Sequence, residues 1–178
     1  MKLTAAVAAL LACALLSACA PRVIFTPEVM TGVDPDFDFT RWRMLPNQAE
    51  ARKILLGGMI IQSDVQSDTI TIATAQLPIV ESPAYGPKDT GKRNGEFAIA
   101  YRGKLEPSFL QRGNRVMVVG TTNASKVVLI DDIPRNLPTV IAQCLHIWKT
   151  GGRDIADFPS FGGGYEPLEE QTFCTTAP

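Results

Sequence analysis

The thiol of Cys19 is the group best placed for covalent chemistry in this 178-residue chain. It follows Leu16, Ser17 and Ala18. Small side chains at the two preceding positions let a peptidase reach the backbone, and the thiol beyond them can be alkylated by a diacylglycerol group. Upstream stand Lys2 and an uncharged apolar run from Ala5 to Leu16. That run is too short for a membrane-spanning helix, which needs about 20 apolar residues. It suits a secretory segment ending at a small-residue cleavage site. Leu, two small residues and Cys form the pattern of a bacterial lipoprotein signal. Cys19 is therefore expected to begin the mature chain, carrying diacylglycerol and a further acyl chain. Each buried CH2 contributes about 0.8 kcal/mol, so more than one chain makes a stable anchor. Ala20 stands where an Asp would signal inner-membrane retention, which favours the outer membrane with the domain facing the periplasm. An ordinary secretory signal with an incidental Cys is the bland alternative.

Other residues of chemical type form weaker patterns. Four Cys are present: Cys13 leaves with the signal, Cys19 is acylated, and Cys144 and Cys174 remain. In an oxidising compartment these two can form a disulfide tying the C-terminal tail to the last strand. Otherwise Cys144 is a small buried hydrophobe and Cys174 is free. His146 is the only His. On a strand it faces opposite Leu145 and Ile147 and shares a face with Cys144. Zinc needs three or four protein ligands, so a structural His is expected and no metal site. Gly86-Pro-Lys-Asp-Thr-Gly91-Lys92 begins like a phosphate-cradling loop, but Arg93 replaces the required Ser or Thr. Asp34, Asp36 and Asp38 begin like a calcium loop, but Phe39 stands where Gly is needed and Leu45 where Glu is needed. No nucleophile elbow occurs, and the paired Asp131-Asp132 reads as a turn. No catalytic constellation emerges, and the expectation is a protein that is not an enzyme and uses no cofactor beyond its covalent lipid.

The elements that position these residues are mostly strands. Removing residues 1–18 leaves 160 residues, room for one modest domain with tails. The mature charge is 16 Lys plus Arg (17 less Lys2) against 18 Asp plus Glu, or −2. No basic face is implied, and nucleic acid is not an expected partner. Residues 19–46, rich in Pro and Asp, read as a lipidated tether, with Phe37, Phe39 and Trp42 as a patch of contact. Residues 47–149 read as the domain. Strands are expected at Ile54–Gln62, Thr69–Ala75, Glu96–Arg102, Arg115–Gly120 and Thr139–Trp148, with a weaker one at Lys126–Ile130. Residues 63–68 read as a polar turn, and Pro78–Lys92 as a long loop. Residues 106–110 read as a short helical turn, with Pro107 suited to its first position. Residues 150–178 read as a flexible C-terminal tail.

Three strands, a short helix and two strands is the order of a small OB-like Greek-key β-barrel of five to six strands. Gly57-Gly58 fits a strand that bends to serve both halves. A flat open sheet with a helix is the rival. An OB-type barrel raises the question of base stacking, but Phe97 and Tyr101 share their face with Ile99 and read as core.

The segments Gly95-Glu-Phe97, Gly103-Lys-Leu105-Glu-Pro107 and Gly113-Asn-Arg115-Val-Met-Val-Val-Gly120, with the closing Leu145-His146-Ile147-Trp148, resemble the Slp family of Gram-negative outer-membrane lipoproteins, named for starvation inducibility. Glu96, Lys104, Glu106 and Leu56 depart from that family's usual residues. The resemblance covers roughly residues 47–148 plus the Leu16–Cys19 lipobox. It implies an outer-membrane lipoprotein with no assigned chemistry. The lipobox, the barrel-like strand order and the missing catalytic constellation together lead to the expectation of a lipid-anchored structural or interaction module of the envelope, labelled by palmitate, with the outer-membrane bilayer and an unidentified envelope protein as partners. The alternative is a periplasmic carrier for a small ligand or peptide, using the 78–92 loop and the barrel mouth.

Overall fold

Apolar residues at every second position drive the fold. Ile54, Leu56 and Ile60 are buried on one face of β1 (Lys53–Gln66), and Ile70 and Ile72 on one face of β2 (Thr69–Leu77). Phe97, Ile99 and Tyr101 do the same on β3 (Glu96–Arg102), and Val116 and Val118 on β4 (Arg115–Ile130). Val140, Ala142, Leu145 and Ile147 complete the set on β5 (Ile133–Trp148). The computed structural model describes residues 23–79, 86–89, 94–153, 160–161, 164–165 and 168–175. Two short helices precede the strands, α1 (Pro27–Met30) and α2 (Phe39–Met44). After β5 come the paired β6 (Ser160–Phe161) and β7 (Gly164–Tyr165), then β8 (Glu170–Cys174).

The main sheet runs β3-β2-β1-β4-β5-β8, and a further β3–β5 pairing closes it into a ring. That last pairing is parallel, Ala98 to Thr139 through Ala100 to Ile141, and the others are antiparallel. The ring order is the one expected of an OB-type Greek key, and closure rules out the flat open sheet. It also pairs β3 with β5, edges that would otherwise be open to pairing, and leaves β8 as the edge strand of the sheet. The interior holds a continuous apolar cluster to which α2 contributes Phe39 and Trp42.

The segment read as a tether is therefore part of the folded body from Ile24 onward. Ile24, Phe25, Val29, Met30 and Val33 pack on the outer face of the ring, against Leu55, Met117, Val119, Cys144 and Trp148. Asp38 caps α2 by accepting the Arg41 N–H at 3.0 Å. Residues 39 and 42 then fall on one helical face, and both point into the core. The expected helix at 106–110 is instead a pair of turns, with Phe109 N–H donating to Glu106 O at 3.0 Å and Leu110 N–H to Pro107 O at 3.1 Å. The Asn114 amide fastens these turns by donating to the Ser108 and Phe109 carbonyls, both at 3.0 Å. Glu170–Cys174, placed in the tail by sequence, forms β8 along β5.

Gly58 serves close approach rather than a bend. A Cβ there would sit 2.6 Å from the Ala75 carbonyl oxygen, while the register break falls beyond it, at Ile61. The weak strand at 126–130 is the far half of β4. It pairs with residues 133–137 through a two-residue turn at Asp131 (φ 49°) and Asp132 (φ 62°). Positive φ at both central positions matches the twist of a tight hairpin. This arm folds over the outer face of the sheet, with Val128, Ile130 and Leu137 on Ala73, Ala98 and Ile61. Arg135 to Glu96 at 2.9 Å and the Asp131 N–H donating to Gln62 Oε1 at 3.0 Å hold it down.

Burial pushes the Tyr101 phenol above its ordinary value of 10.0. The folded state thus favours the neutral phenol. That stability is intact below the unfolded pKa and is lost as pH rises through the folded one. The urea midpoint is expected to fall as pH passes about 10, and to fall less in Tyr101→Phe.

Candidate functional site

Leu16, Ser17, Ala18 and Cys19 lie outside the described residues, as does Cys13. The ordered body nevertheless constrains the anchor. Ile24 already packs on the ring, and Cys19 lies only four positions before Val23. Four extended residues reach about 14 Å at most, so a lipid on Cys19 would hold this body close to the bilayer.

Cys144 and Cys174 face each other across the β5–β8 ladder and are bonded, S–S 2.03 Å. Beside them on the outer face sits His146, buried to 5% exposure. Its Nδ1 lies 2.7 Å from Thr172 Oγ1 and its Nε2 lies 3.2 Å from Glu170 Oε2. Its ring meets Trp148 edge-on at 4.2 Å. His146 and Cys144 do share a strand face, but the bonded sulfur has no thiol to serve as nucleophile. The cluster works as a clasp that fastens β8 to β5. Phe173 adds to it from the other side of β8, stacking on Phe109 at 5.1 Å.

The remaining motifs have structural employment. Asp34 takes the Asp36 N–H at 3.0 Å and pairs with Arg52 at 2.9 Å. With Asp38 capping α2, the carboxylates of the calcium-like stretch do not converge on a common point. Gly86 of the phosphate-like loop lies on Trp148, where a Cβ would come within 2.8 Å of the indole. Gly91, Lys92 and Arg93 lie outside the described residues. Phe97 and Tyr101 are interior core, not a stacking platform. No group of three or more His, Cys, Asp or Glu suited to a metal occurs among the described residues.

One feature escaped sequence reasoning. A cleft of about 570 Å³ opens between the end of α2, the start of β3 and the base of the arm. Ile61, Ala75 and Leu137 contribute apolar surface, and Arg43, Asn47, Ser125 and Asn136 contribute polar groups. These residues come from distant parts of the chain, so no local motif announces them. No helix among the described residues is long and apolar enough to cross a membrane.

The body is a small, mostly β domain closed by a parallel β3–β5 pairing, with residues 24–33 packed on its outer face. The chain belongs to the outer membrane lipoprotein Slp family, whose sequence profile matches residues 16–167. That span starts at Leu16 and takes in Cys19, the ring and the arm, and it makes the protein an outer-membrane lipoprotein. No curated protein and no solved structure matches the chain.

Proposed function

We propose that the protein is a non-catalytic structural or interaction module of the cell envelope. Diacylglycerol and an acyl chain on Cys19 hold it to the outer membrane, with the ring facing the periplasm. The observation that carries this reading is the family match over residues 16–167, which spans Leu16–Cys19 and strands β1 to β5. Packing of Ile24 and Phe25 directly on the ring supports it, because it couples the anchor to a rigid domain over a short reach. Buried apolar side chains of β1–β5 and α2 form one continuous cluster inside the ring, which favours a structural role over a carrier role through the ring interior.

Metabolic labelling with palmitate tests the anchor. The native protein is expected to take up label and to fractionate with outer membranes. Cys19→Ser is expected to lose both properties. Undiminished labelling of that variant would defeat the proposal.

A further inference from the structure

We propose that the cleft under the base of the arm binds a small ligand through a free carboxylate, with Arg43 as its counter-charge. The volume of about 570 Å³ falls within the range of small-ligand sites. Among its lining residues only Arg43 and Glu96 carry charge. Glu96 is engaged by Arg135 at 2.9 and 3.1 Å, which balances its carboxylate. Arg43 has no carboxylate partner among the described residues. The cleft therefore presents one open guanidinium, the group best shaped for two-point contact with a carboxylate.

The Arg43 side chain runs close along Gly95. Gly95, at φ +136°, lies flat beneath it, and a Cβ there would come within 2.6 Å of Arg43 Cδ and 2.8 Å of its Nε. Only glycine takes that backbone conformation without strain and leaves room for the stem. Asn47 accepts the Ser125 N–H through Oδ1 at 2.7 Å, which ties α2 to the arm and leaves its NH2 to donate. Asn136 adds a second carboxamide to the lining. A guanidinium flanked by amide donors above apolar surface suits a carboxylate attached to a body rich in hydrogen-bond acceptors. A peptide C-terminus and an acidic sugar both have this chemistry.

Titration calorimetry on the mature lipoprotein in detergent micelles separates the two sources. The probes are trialanine and its C-terminal amide, and galacturonate and galactose. At least one acid is expected to bind with Kd at or below about 1 mM. Its neutral counterpart is expected to bind at least tenfold more weakly. Arg43→Gln should weaken the acid at least tenfold with an unchanged melting temperature, and Arg43→Lys should fall between. Binding of trialanine alone assigns a peptide terminus, and binding of galacturonate alone assigns a sugar acid. Absence of binding by both acids, or equal binding by Arg43→Gln, overturns the proposal. Neither result touches the lipid anchor.

Discussion

Trp42→Ala is expected to destabilise the domain by about 3–5 kcal/mol, enough to leave a large unfolded fraction at growth temperature. The indole is 4% exposed and belongs to the interior cluster. Phe37 lies 5.6 Å and Phe39 5.9 Å from it, and Phe39 in turn stacks on Phe97 at 5.8 Å. Removing the indole therefore opens a cavity beside Phe37 and Phe39 and withdraws support from the ring that packs on Phe97. Its Nε1 has no hydrogen-bond partner among the described residues, so packing alone accounts for the loss. Trp42→Phe should accordingly recover much of the stability. Urea unfolding of the two variants checks this. A neutral Trp42→Ala would mean that residues 23–46 are a tether and not part of the folded body.

Loss of the Cys144–Cys174 bond is the second large effect. The bond closes a loop with a sequence separation of 30. Chain entropy for a loop of that length gives about 3.5 kcal/mol of stabilisation. The melting temperature of Cys144→Ala/Cys174→Ala should thus fall by about 10 °C. The fall should be matched by the native protein in reductant. β8 makes only the Cys144–Trp148 ladder with the rest of the sheet, so it is expected to be the first element to exchange its amides. Equal melting temperatures with and without reductant would remove the clasp from the account.

The parts of this fold that the sequence announces are those with strict local pattern. Glu96–Arg102 alternates cleanly and is β3 to the residue. Asp131-Asp132 is a turn because two Asp tolerate positive φ better than their β-branched neighbours. Closure of the ring was legible from strand order. The misses share a physical cause: their stability comes from contacts far along the chain. Phe39 and Trp42 lie in a Pro- and Asp-rich stretch, and only the Asp38 cap with its 39/42 spacing hints at a helix. Phe173 is the sole large apolar residue of β8, and its partner Phe109 is more than sixty residues away. The far half of β4 exposes Val127 and Leu129 while burying Val128 and Ile130 on another strand pair, which blurs the alternation. In the candidate sites, the Cys144–Cys174 pairing was one of two open readings. The Arg43 cleft was invisible, because Arg43, Gly95, Ser125 and Asn136 meet only in three dimensions.

In the proposed function a cleaved, acylated Cys19 joins the ring of strands to the bilayer. Intact-mass spectrometry of the protein purified from outer membranes reads this directly. The expected result is a chain beginning at Cys19 and carrying the added mass of diacylglycerol and an acyl chain. A chain retaining Met1, or one beginning at position 19 with an unmodified thiol, would contradict it.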